Sequence, residues 1–213
     1  MLPTTSFLTV FIFSFVIAIG AVVSPGPVST AIVSQAPRRG WLTGPLVATG
    51  HTSLEFIMVI LLILGLGVGL TNPNVQTVIA LLGGILLTWM GLSMIRNTWR
   101  GKIHLPGKDE GMVQMSSKQL IGLGMIATIS NPFWYAWWVT VAAGYLFQAR
   151  ATSLVLVLAF YLGHITVDYA WDTILSTIVG SGSRWMTDRI YRLLIYACGV
   201  FFCTWHGFFW YRA

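Results

Sequence analysis

The sequence predicts an all-α polytopic membrane protein: six transmembrane helices arranged as two inverted three-helix repeats, with helices 1 and 4 broken. Three observations predict it. The 213 residues are 56% hydrophobic and 8% charged, with mean hydropathy +0.77, whereas a soluble domain carries about a quarter charged residues. So few charges cannot cover so much apolar surface in water. Six segments reach the about 20 apolar residues that cross the hydrocarbon: 6–36, 41–69, 75–97, 118–148, 152–179 and 189–211. Landmarks of the first three recur in the same order in the last three.

The first segment has no Lys or Arg before Arg38, and its apolar run from Phe7 to Val23 exceeds a signal-peptide core. It is expected to be a retained membrane helix. It is interrupted by Ser24-Pro25-Gly26-Pro27. Proline removes an N–H and strands the carbonyl four residues back, here those of Ala21 and Val23. In hydrocarbon such groups are tolerated only inside protein or against a polar cavity. The second segment carries His51 and Glu55. Gly40-x3-Gly44 before it and Gly65-x-Gly67-x-Gly69 at its end suit close helix contact or a turn. The third is followed by a polar connection from Asn97 to Lys118.

The fourth segment is interrupted by Ser130-Asn131-Pro132, freeing the Thr128 carbonyl, and continues into Phe133-Trp134-Tyr135-x-Trp137-Trp138. These rings suit interfacial anchoring or helix packing, with cation–π contact to a substrate as the sharper reading. The excess length of the first and fourth segments fits two half-helices or a strong tilt. The fifth carries His164, Asp168 and Asp172. The sixth holds both cysteines, Cys198 and Cys203, which five residues apart on a helix point in different directions and do not suit a disulfide. Trp89, Trp99, Trp205 and Trp210 fit an interfacial belt.

The net charge of +6 does not imply nucleic acid, because the cations form no stripe. Arg38, Arg39, Arg96, Arg100, Lys102, Lys108, Lys118, Arg184, Arg189 and Arg192 follow segments one, three and five; only Arg150 and Arg212 lie on the other side. The positive-inside rule puts the first group in the cytoplasm and both termini outside. The expected organisation is a first repeat over 1–98, a cytoplasmic linker over 99–117 and a second, inverted repeat over 118–213, in a cell membrane. The expected partners are the bilayer and a small-molecule substrate, with a homo-oligomer left open.

The repeat is visible residue by residue. Gly83-x4-Thr88-Trp89-x-Gly91-x4-Arg96 matches Gly199-x4-Thr204-Trp205-x-Gly207-x4-Arg212, offset by 116 residues. Gly50-His51-x3-Glu55 matches Gly163-His164-x3-Asp168, offset by 113, and Ser24-Pro25 matches Ser130-Asn131-Pro132. Three crossings per half is an odd number, so the second half must insert upside down. Inverted repeats with matched discontinuous helices mark transporter substrate sites near the bilayer midplane.

Glu55, Asp168 and Asp172 are the only acids inside the apolar segments. Charge at this depth is expensive and faces a cavity or a partner. Glu55 and Asp168 each follow a histidine by four residues, on one helix face, and histidine titrates near neutral pH. His51, Glu55, His164, Asp168 and Asp172 are therefore the expected proton-coupling residues. Pro25, Gly26, Pro27, Asn131 and Pro132, with Glu55 and Asp168, are the expected substrate site. Half-helix N-termini suit a carboxylate and the acids suit an ammonium. The expected function is therefore secondary transport, by alternating access around the two breaks, of a small zwitterionic or cationic metabolite, with a zwitterion such as an amino acid preferred.

The runner-up is a divalent-metal exporter using the two His–acid pairs. An intramembrane aspartyl protease using Asp168 and Asp172 is weaker, because acids one turn apart on one helix do not flank a peptide from opposite faces. With no G-x-S-x-G, P-loop or C-x-x-C in the sequence, no enzyme, cofactor or resident metal is expected.

These residues resemble the LysE/RhtB amino-acid exporters. The resemblance rests on Ser24-Pro25-Gly26-Pro27 followed by Arg38-Arg39-Gly40-Trp41-x2-Gly44, on Gly83-Gly84-Ile85-Leu86-Leu87-Thr88-Trp89-Met90-Gly91, on Asn131-Pro132 and on Asp168-x2-Trp171. It implies a small polytopic exporter of amino acids or derivatives driven by the proton-motive force; the outward direction comes from the resemblance alone. Val28 and Phe133 stand where the family often has Asn and Lys, so no particular amino acid is implied.

Overall fold

The structure, a computed structural model, describes residues 6–23, 26–65, 73–102, 114–181, 187–190, 192–193, 195–197, 199–200 and 203. Pro25, the Gly67 and Gly69 positions, Lys108, Arg184, Cys198 and the Thr204–Arg212 part of the repeat lie outside them. All regular elements among the described residues are helical.

Helix α1 (Phe7–Val22) starts where the Ser6 hydroxyl accepts the Thr9 N–H at 3.2 Å. Leu8, Ile12, Val16 and Ile19 are exposed, as a bilayer-facing side requires, while Val10, Ser14 and Ala18 form a buried stripe at i, i+4, i+8. The chain breaks at Val23 and resumes with Gly26 as an extended N-cap and Pro27 at the first helical position of α2 (Pro27–Arg39), where its missing N–H is harmless. Helix α2 runs on through Pro37, past the expected end of the segment. Gly40, at φ +74°, then turns the chain through a short 3-10 stretch, Gly40–Leu42, into α3 (Thr43–Ile63). Helix α4 spans Pro73–Trp99.

Helix α5 (Ser117–Ile129) is started by a capping box in which Ser116 and Gln119 satisfy each other's backbone N–H groups. It ends at the second break. Asn131 caps α6 (Pro132–Trp137), which passes through a π turn, Trp138–Ala142, into α7 (Ala143–Thr152); Ser153 then leads to α8 (Leu154–Ser181). The Thr128 carbonyl, expected to be left free by Pro132, accepts the Asn131 N–H at 3.0 Å. The sequence reading missed that a bend brings this nearer donor into reach.

Glycines set how closely the helices approach. A Cβ on Gly50 of α3 would lie 2.0 Å from the Ile121 carbonyl oxygen of α5, and one on Gly163 of α8 would lie 2.3 Å from that of Phe11 in α1. Gly44 meets the Asp172 carbonyl in the same way. Helix α3 is thus wedged between α5 and α8, and α1 lies along α8. Ser14 ties that last contact by donating to the Phe160 carbonyl at 2.6 Å. On the other side, Arg39 at the end of α2 donates to the Met115 carbonyl and the Ser117 hydroxyl, fastening the entry to α5.

Two apolar cores result. One gathers Met58, Leu62, Trp138, Leu146, Leu156 and Phe160; the other gathers Ile32, Val47, Leu120 and Val179. Along α3 the residues between them are His51 to Glu55, and along α8 they are His164 to Asp172. A polar layer is held between two oily ones.

Candidate functional site

That layer lines a small cavity of about 60 Å³. Its wall includes Gly26, Val28 and Ser29 from the first break and Asn131, Phe133 and Trp134 from the second. His51 and Glu55 come from α3, and His164, Asp168 and Asp172 from α8. The two breaks, 105 residues apart between Gly26 and Asn131 (131 − 26), therefore meet at one place. Pro27 is buried at the start of α2, and Pro132 occupies the first position of α6.

The His–acid pairs do not stand apart, one on each helix, as the spacing alone suggests. They merge across helices. Glu55 Oε1 lies 3.2 Å from His51 Nε2 and 3.1 Å from His164 Nε2. Asp168 reaches His51 at 3.6 Å and its own helix neighbour His164 only at 3.7 Å. Glu55 is 1% exposed and Asp168 2%, so the cross-helix contact is sealed from solvent.

Three groups that the sequence reading did not place here complete the cluster. The indole N–H groups of Trp134 and Trp138 both donate to Glu55 Oε1 at 3.3 Å. These rings, read as packing or anchoring with substrate contact as the sharper alternative, face the acid, and Trp137 lies tilted against His164 with ring centroids 4.4 Å apart. Their i, i+4 spacing was the available signal. Thr128 is the third: its hydroxyl donates to the Gly124 carbonyl at 2.7 Å and lies 2.8 Å from His51 Nδ1.

That last contact assigns a proton from the hydrogen-bond network. The Thr128 hydrogen is spent on Gly124, so its oxygen accepts, and His51 Nδ1 carries the hydrogen. His51 Nε2 then faces Glu55 Oε1 at 3.2 Å. Two bare acceptors repel at that distance, so a proton sits either on Nε2 or on a carboxyl of the cluster. The Glu55 Oε2, Asp168 Oδ2, Asp172 Oδ2 and His164 Nδ1 atoms are buried without a hydrogen-bond partner in the structure. Buried polar atoms of this kind are expensive unless a proton, ion or ligand engages them.

The breaks differ in what they offer. Gly26 supplies no side-chain cap to α2, which leaves first-turn N–H groups able to receive an anion. Asn131 already accepts the Phe133 N–H at 3.1 Å.

A family model described as LysE type translocator matches residues 19–212. A protein of Bacillus subtilis (strain 168) named "Putative amino acid efflux protein YcgF" is 19% identical over 206 residues, covering 96% of this chain and 97% of that one. No solved structure matches.

Proposed function

From the premise that the chain belongs to the LysE type translocator family, and is thus a membrane transporter, we propose that it exports a small zwitterionic metabolite, an amino acid or derivative, by proton-coupled alternating access. The observation that carries this reading is the cavity walled by both helix breaks, three carboxyls and two imidazoles. The uncapped start of α2 receives the substrate carboxylate, and Asp172, whose Oδ2 has no partner, receives the ammonium. The proton resides in the His51–Glu55–His164–Asp168 cluster. The amino-acid efflux named for the Bacillus relative agrees with a zwitterionic substrate.

The cavity of about 60 Å³ is smaller than the about 300–1,000 Å³ of ligand pockets, which agrees with a loading step that separates the half-helices. Two six-span features support the proposed inverted architecture. Helix α1 packs on α8 through Gly163, and α5 packs on α3 through Gly50; exchanging the two repeats turns one contact into the other. The proposed repeats remain 1–98 and 118–213, joined by the 99–117 linker on the cytoplasmic side, with both termini outside.

Counterflow in proteoliposomes preloaded with each of the common amino acids tests the reading. Saturable exchange of a subset, weakened in Asp172→Asn through a higher KM, is the expected result. Exchange of none of them would refute the substrate class.

A further inference from the structure

Hydrogen bonding leaves part of the buried cluster unengaged. Glu55 Oε1 satisfies both histidines, yet Asp168 stands 3.6 and 3.7 Å from them, beyond the 2.7–3.2 Å usual for an N–H···O bond. Its Oδ2 and Glu55 Oε2 are buried without a hydrogen-bond partner. Proton sharing alone engages three of the four groups well and the fourth poorly.

A tetrahedral cation engages all four. With ligand bonds of about 2.0–2.2 Å for histidine nitrogen and carboxylate oxygen, neighbouring donors of a tetrahedron stand about 3.3–3.6 Å apart, which is 1.63 times the bond length. The four N···O separations here are 3.1, 3.2, 3.6 and 3.7 Å, with Asp168 offering a different oxygen to each histidine; two fall just short of that range and two lie at or just beyond its upper edge. One donor atom each from His51, Glu55 and Asp168 lie within 4.8 Å of one another, and His164 Nε2 stands beside two of these residues, 3.1 Å from Glu55 and 3.7 Å from Asp168. We propose that His51, Glu55, His164 and Asp168 form a binding site for a divalent first-row transition-metal cation.

The supporting contacts such a site needs are present at His51 and Glu55, while His164 Nδ1 has no partner. Metal-bound histidines donate their other ring nitrogen to an acceptor that fixes the ring; His51 does so to Thr128 at 2.8 Å. Ligating carboxylates are themselves hydrogen-bonded, and Trp134 and Trp138 hold Glu55 in this way. Imidazole with carboxylate and no thiolate selects zinc, cobalt, nickel, iron or manganese over soft cations. Two carboxylates and two neutral imidazoles around a divalent cation carry no net charge, which suits burial between two apolar cores. The cation and the coupling proton of the proposed function compete for this cluster, and the site stands whatever substrate the chain exports.

Cobalt(II) chloride and zinc chloride titrated into the purified, chelator-treated full chain in detergent test it, read by visible absorption and by calorimetry. The expected result is one cation per chain with the intense visible band of four-coordinate cobalt. His51→Ala and His164→Ala should each weaken binding at least tenfold. Thr128→Val, which removes only the support of a ligand, should weaken it roughly 10–100-fold. Asp168→Asn, nearly isosteric, guards against loss through misfolding: a monodisperse variant should still lose affinity. Absence of saturable cobalt binding, or binding that survives the double His51→Ala/His164→Ala variant, overturns the proposal. Amino-acid counterflow in chelator-containing liposomes reports separately on export, so either idea can fail alone.

Discussion

The two helix breaks occupy equivalent places in the proposed repeat and do different chemical work. At the first, Gly26 starts α2 in extended conformation with no side-chain cap, and the neighbouring Val28 and Ser29 line the cavity. At the second, Asn131 caps its own helix, and the turns beyond deliver Trp134 and Trp138 to Glu55. In the proposed reading the first break offers its donors to the substrate, whereas the second is followed by donors that hold an acid. In the proposed repeat, the two halves would share a backbone plan while their polar groups differ.

The sharpest way to break this comparison is on the second side. Trp138→Phe keeps the ring and removes one of the indole donors on a buried carboxyl. A hydrogen bond to a charged group contributes about 1.5–3 kcal/mol, so proton-driven flux should fall by about one to two orders of magnitude in protein that still elutes as a single species. Unchanged flux would show that the aromatic cluster only packs.

Asn131→Ala should act on stability. Loss of an N-cap costs about 1 kcal/mol, so the melting temperature in detergent should drop while the substrate KM moves little. A large KM change without a drop would instead place Asn131 on the substrate.

Gly26→Ser should do the reverse. A serine N-cap is better than glycine by only a few tenths of a kcal/mol, so stability should hold or rise slightly. Its hydroxyl would occupy an N–H reserved for the substrate carboxylate, raising KM a few-fold. Equal KM values for wild type and Gly26→Ser would remove α2 from the binding site.

The breaks were legible in the sequence because proline acts locally: the missing N–H ends a helix wherever it falls. Pro37 shows the exception, since near the end of α2 the helix runs through it. The i, i+4 pairing of His51 with Glu55 and of His164 with Asp168 was equally readable. What the spacing could not show is that the stronger partner of His164 is Glu55, 109 residues away (164 − 55), because that pairing depends on how closely α3 and α8 pack. Gly44, which lets the α8 backbone approach α3, had already been read as a contact glycine, but not as one that brings these two acids together. Thr128 was not legible at all. A threonine bonded to the carbonyl four residues back is ordinary in a helix, and only tertiary structure reveals His51 on its other side.

The central claim is that one buried cluster, built jointly by α3 and α8, carries the coupling proton. Amino-acid flux from proteoliposomes under an imposed pH gradient, compared among wild type, Glu55→Gln and Asp168→Asn, tests it most directly. The account predicts that the gradient accelerates wild-type flux and that both variants lose this acceleration while remaining folded. Gradient-driven flux that persists in both variants would contradict it.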